Sequence, residues 1–126
     1  MKKRKYAIEV DCIAVYLEKE SAPAEQNYVF AYTITIRNVG TIAAQLLSRH
    51  WHIFDASENV KEVKGEGVIG KQPHIEPGEH FTYTSAAMIK TPVGNMLGNY
   101  QMKAADGHLF KAEIKPFRLS VPMTLH

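Results

Sequence analysis

Apolar and polar residues alternate with a period of two along most of this chain, and Gly, Pro, Asn and Asp interrupt the alternation at short intervals. Phe30, Tyr32, Ile34 and Ile36 fall on one parity, with Ala31, Thr33, Thr35 and Arg37 on the other. That pattern predicts a half-buried strand over 28–38. A second long strand is expected over 42–55, with Leu47, Trp51 and Ile53 on the core-facing parity and Leu46, Ser48, His50, His52 and Phe54 opposite. Shorter alternating runs over 60–64, 79–89, 96–105 and 108–119 predict further strands. Within 6–20 the phase changes: Ile8, Val10 and Cys12 share one parity, and Ile13, Val15 and Leu17 take up the other. Such a slip predicts a β-bulge or a strand that changes sheets. The breaks carry turn chemistry. Asn38-Val39-Gly40 ends a strand, 55–59 reads as a turn, and Pro77-Gly78 suits the central pair of a type II turn. Asp106-Gly107 is the strongest hairpin signal, a pair favoured in type I′ turns.

No stretch shows helical periodicity. Seven to eight short strands separated by turns predict an all-β, immunoglobulin-like antiparallel β-sandwich of the fibronectin type III kind, since Trp51 lacks the flanking cysteines of an antibody domain. A length of 126 residues suits a single domain over 1–126, with a basic N-terminal tail at 1–5 and a loose C-terminal tail at 120–126. No apolar run is long enough to span a bilayer, so no membrane partner is expected. The single Cys12 fits a reducing compartment, and the chain reads as cytoplasmic. Lys2, Lys3, Arg4 and Lys5 supply four of the 15 basic residues, and the remaining 11 face 13 acids. A body slightly acidic in net charge is unsuited to nucleic acid.

Three groups of residues could carry chemistry. Gly65, Gly67 and Gly70 make a G-x-G-x-x-G spacing, which in dinucleotide-binding folds opens a helix and meets an acid about twenty residues on. Here Pro73 and Pro77 prevent that helix, and Lys90 stands where the acid would be. Two readings remain open. In one, the loop amides form an anion-binding concavity with Lys64, Lys71 or Arg49 as charge partners; in the other, the glycines are bends at a strand crossover. His50 and His52 project from one face of their strand, about 7 Å apart, within reach of one transition-metal ion, and His74 or His80 could approach from neighbouring segments. Arg49 shares the parity of Trp51 and needs an edge, an aromatic face, an anion or a carboxylate such as Asp55, Glu62 or Glu66. No catalytic constellation is visible, and Cys12 reads as a small core residue.

Several stretches together resemble the ApaG family: Tyr32-Thr33-Ile34-Thr35-Ile36-Arg37-Asn38, Leu46-Leu47-Ser48-Arg49-His50-Trp51, Val63-Lys64-Gly65-Glu66-Gly67-Val68-Ile69-Gly70-Lys71-Gln72-Pro73, and Gly94-Asn95-Met96-Leu97-Gly98. The resemblance runs from about Tyr6 to Leu119. It implies a fibronectin type III-like sandwich. It also implies a link to cobalt and magnesium tolerance (the family's other name is CorD), and bacterial genes beside those of a diadenosine tetraphosphate hydrolase and a ribosomal RNA dimethyltransferase. In eukaryotes the domain is attached to an F-box protein and to a polymerase-delta-interacting protein, which implies a protein-interaction module.

The expectation is therefore a non-enzymatic binding domain with another protein as partner and no required cofactor. Its working surface would include the glycine loop and the face around Arg49, His50 and His52. Two alternatives stand beside it: a sensor binding the phosphates of a dinucleoside polyphosphate or pyrophosphate through 65–70, and a handler of a divalent cation, Co or Mg, through His50 and His52. A homodimer through an edge strand is a further candidate assembly.

Overall fold

The computed structural model describes residues 4–122. Lys2, Lys3 and the end of the expected C-terminal tail, 123–126, lie outside the described residues. Eight strands follow one another: β1 (Ile8–Tyr16), β2 (Tyr28–Asn38), β3 (Ala44–Asp55), β4 (Val60–Glu66), β5 (His74–Ile75), β6 (His80–Ile89), β7 (Val93–Ala104) and β8 (Leu109–Ser120). Two 3-10 turns, Glu18–Glu20 and Pro23–Glu25, fill the connection from β1 to β2. β1, β2 and β6 form one antiparallel sheet; β4, β3, β7 and β8 form the other, with β5 added against β3. This is the antiparallel sandwich that the alternation implies. No helix among the described residues is long and apolar enough to cross a membrane.

The core lies between the inner faces and is centred on Trp51. Its ring meets Tyr100 and Phe117 edge-on, with centroids 6.3 Å and 5.9 Å away, and Tyr32 of the opposite sheet at 5.5 Å. Edge-to-face packing of this kind adds to the gain from burial alone. Phe30, Ile34, Ile36, Met96, Met102 and Leu119 are fully enclosed around this cluster. The Tyr83 and Tyr100 hydroxyls hydrogen-bond to each other between the sheets. Burial pushes both phenols well above their usual range, so both remain neutral.

Two local expectations are corrected. β1 contains no bulge: it pairs with β2 in unbroken register from Ile8↔Asn38 to Tyr16↔Phe30. Ala14 and Tyr16 continue the inner row begun by Ile8, Val10 and Cys12, so Ile13 and Val15 point outward and are 68% and 56% exposed. The Asp106-Gly107 hairpin is also not type I′, because of that pair only Gly107 has positive φ. The loop holds three residues, with Ala104 N–H on the His108 carbonyl and Gly107 N–H on the Ala104 carbonyl. The extra residue is Ala105, whose amide donates to the Ala43 carbonyl outside the hairpin. The type II turn at Pro77-Gly78 forms as expected, closed by Glu79 N–H on the Glu76 carbonyl with φ +85° at Gly78. Lys5, placed in the basic tail by sequence, is joined to the body: its carbonyl accepts from Thr41 N–H, and its ammonium lies 2.9 Å from Asp106.

Among the described residues Asn38 is the one buried polar side chain outside the aromatic core, 1% exposed. Its amide donates to the carbonyls of Ile42 and Ile75 and its oxygen accepts from Gly40 N–H, all at 2.8–2.9 Å. Its backbone exchanges hydrogen bonds with Gly78 and Glu79. The side chain thus ties the end of β2 to β5, and the backbone ties it to the type II turn. Asn38→Ala leaves several buried groups unpaired and is expected to cost about 3 kcal/mol. Urea unfolding measures this, and an unchanged midpoint would contradict the assigned role.

Candidate functional site

The site begins with a bulge in β3. Leu46 pairs with Met102 and Ser48 with Gln101, so Leu47 is an extra residue with no partner on β7. The bulge reverses the parity expected before it. Leu46, not Leu47, is the fully buried leucine, while Arg49, Trp51 and Ile53 face inward and His50 and His52 face outward. A bulged residue loses its ladder partner, and here the lost bonds are replaced. The Leu47 carbonyl accepts from Gly67 N–H at 2.8 Å and from Gln72 Nε2 at 2.9 Å. Leu46 N–H donates to the Pro73 carbonyl at 3.0 Å.

The glycine-rich stretch is built around that task. Val68 and Lys71 exchange N–H···O bonds of 2.8 Å and 3.0 Å around a two-residue turn with φ +46° at Ile69 and +76° at Gly70. Two positive φ values define a type I′ hairpin turn. Gly67 has φ +60°, and a Cβ there would lie 2.2 Å from the Lys71 carbonyl oxygen. A phosphate concavity needs successive amides aimed at one point. The amides of Gly67, Val68 and Lys71 instead meet protein carbonyls. Arg49 completes the arrangement by donating from Nη1 to the carbonyls of Glu66 and Gly67, at 3.0 Å and 2.9 Å. Its guanidinium lies over Gly65, where a Cβ would come within 2.8 Å of Cζ and both terminal nitrogens. Arg49 therefore answers backbone carbonyls rather than the carboxylates of Asp55, Glu62 or Glu66. Gly67→Ala is expected to cost about 3 kcal/mol, from positive φ and a backbone clash together. Gly70→Ala, with positive φ but open space around it, should cost about 1 kcal/mol. Thermal unfolding of the two variants side by side tests the ranking.

On the outer face, β3 and β4 bring together a third residue that the histidine spacing did not include. Glu62 is in register with His52, and Lys64 with His50. The Glu62 Oε2 atom lies 3.1 Å from His52 Nε2, a hydrogen bond, and 3.3 Å from His50 Nε2, at an angle too oblique for one. The rings of His50 and His52 are 4.6 Å apart. The ligand atoms of the three residues fall within 4.8 Å of one another. His50 and then Lys64, whose Nζ is 3.6 Å from Oε1, hold the Glu62 carboxyl below the usual carboxylate range. His74 pairs with Gln45 at the far end of β3, and His80 pairs with Arg37 in the other sheet, so neither joins the group. Glu62 was within reach of sequence reasoning: counting outward from the turn at 55–59 sets residue 62 opposite residue 52. Cys12 is half-buried against the core, and burial, with Asp11 beside it, pushes its thiol up to about 11.

The class these features define is an antiparallel β-sandwich with a histidine–carboxylate group on an open sheet face. The ApaG domain family model matches residues 18–104. An ApaG protein of Azoarcus sp. is 54% identical over 99% of this chain and 98% of its own, and one of Thiobacillus denitrificans is 56% identical over 98% and 97%. The crystal structure of an ApaA protein from Bordetella pertussis superposes with a TM-score of 0.94 at 43% identity, covering 98% of this chain and all of that one. The chain belongs to the ApaG domain family.

Proposed function

We propose that this protein is a non-enzymatic binding module whose ligand is a divalent transition-metal ion held by His50, His52 and Glu62. The observation that carries the reading is the convergence of both Nε2 atoms on one carboxylate oxygen, at 3.1 Å and 3.3 Å. Ligands about 2.0–2.1 Å from a tetrahedral ion lie about 3.3–3.4 Å apart, so two edges of such a site are already close to the right length. Two imidazoles and one carboxylate suit Co, Zn, Ni or Cu; Mg²⁺ prefers an all-oxygen octahedron. Cobalt is accordingly the better fit of the two cations in the resemblance. The group sits on the outer face of the sheet, where water would complete the coordination of a bound ion.

At about a hundredfold excess over Kd, Co²⁺ or Zn²⁺ is expected to stabilise the fold by about 2.7 kcal/mol, seen as a rise in melting temperature that Mg²⁺ does not produce. The visible spectrum of bound Co²⁺ should show a low-coordinate nitrogen–oxygen site. His50→Ala with His52→Ala, and separately Glu62→Gln, should remove both signals. Binding should weaken on acidification, because ligating imidazoles must be neutral and the carboxylate ionised. No stabilisation by either ion, or stabilisation that survives loss of both histidines, would overturn the proposal.

A further inference from the structure

The two sheets are unequal in width. β1 packs along β8 and closes one side of the sandwich, while on the other side β6 and β4 stand as the edge strands of their sheets. β6 pairs through one edge with β2, and β4 through one edge with β3; their outer edges have no strand partner among the described residues. Between these edges a cleft of about 410 Å³ reaches in to Trp51. Its charged lining residues are Arg49 and Lys61, with no carboxylate among its walls. Trp51 is 2% exposed, yet its Nε1–H has no acceptor. The Trp51 ring is the floor of the cleft.

We propose that this cleft receives an extended, acidic segment of a partner protein, which adds as a fourth strand beside β6 and covers the inner face of β4. An open sheet edge supplies main-chain hydrogen bonds to an added strand, and pockets for alternate side chains supply the selectivity. Ser85 and Ala87 of β6 face inward, so inward side chains of the added strand meet Lys61 and Arg49 above the Trp51 ring, where a carboxylate fits. Its outward side chains lie beside Met88, which is 48% exposed and borders the row Val15–Ala31–Ala86 on the outer face of the first sheet. The segment chosen by this geometry alternates Asp or Glu with apolar β-branched residues and contains no Pro within the paired run. A free phosphate fits less well, since Val63, Tyr32 and Ala87 would face it with nothing to pack against. The cleft lies on the opposite face of β3 and β4 from the histidine group, so the inference does not depend on the metal reading.

Selection from a random heptapeptide phage library on the full chain, followed by amide and indole NMR with the recovered peptides, tests the proposal. The recovered peptides are expected to be acidic, alternating and Pro-free. They should shift the Trp51 indole N–H, the single indole resonance of this one-tryptophan chain, together with amides of 85–88. Lys61 is exposed, so Lys61→Glu should leave the melting temperature unchanged while weakening the peptides about tenfold. A library yielding no binders, basic or Pro-rich binders, or binders that leave the Trp51 indole unmoved would overturn the proposal. So would an indole shift produced equally by inorganic phosphate, which would make the cleft a small-anion site.

Discussion

The extra residue at Leu47 is the constraint on which the rest of the second sheet depends. Ala44 and Leu46 face inward, so an unbroken strand would carry residues 48, 50 and 52 inward and turn Trp51 out to solvent. One bulged residue reverses this. It places the Trp51 ring at the centre of the core, the two histidines on the outside, and Arg49 where its guanidinium lies over Gly65 and reaches the end of β4. The arrangement holds because the displaced Leu47 carbonyl finds two donors, Gly67 N–H and Gln72 Nε2. Backbone groups that lose a ladder partner are satisfied elsewhere in native structures. The glycine turn is thus the counterpart of the bulge.

β4 is then attached from both faces. On the inside, Arg49 lies against Gly65 and donates to the carbonyls where β4 ends. On the outside, Glu62 reaches back to the histidines of β3. An ion shared by those three side chains would tie β4 to β3 from the solvent side as the guanidinium does from the core side. Because β4 also forms one wall of the cleft, both proposed sites bear on the same edge strand. The alternation of β3 produces this juxtaposition: successive residues from 49 to 52 serve inner and outer faces in turn.

Much of this was legible in the sequence. The alternation of Phe30, Tyr32, Ile34 and Ile36, the parity of Met96, Tyr100 and Met102, and the Pro77-Gly78 turn all lead directly to elements that are present. The histidine pair was visible from spacing alone, and the carboxylate facing it follows from counting across the turn at 55–59. The glycine spacing left two readings open. Gly67 and Gly70 are needed for positive φ whether a loop binds phosphate or turns back on itself, and only the destination of each amide separates the two.

Strand content, the turns and the layered all-β class are written into the chain locally, because they follow from the period of two and from backbone preferences of neighbouring residues. Where the alternation breaks is settled between strands rather than within one. The change of phase after Cys12 and the adjacent Leu46 and Leu47 look alike along the chain, each being a pair of neighbouring apolar residues that either parity could absorb. β1 runs on unbroken beside β2, and its leftover Ile13 and Val15 stay in water. β3 bulges, because its partner β7 pairs with Leu46 and Ser48 and skips the residue between. Register is a property of two strands and of the groups that satisfy a displaced carbonyl, and those groups lie far away in the chain.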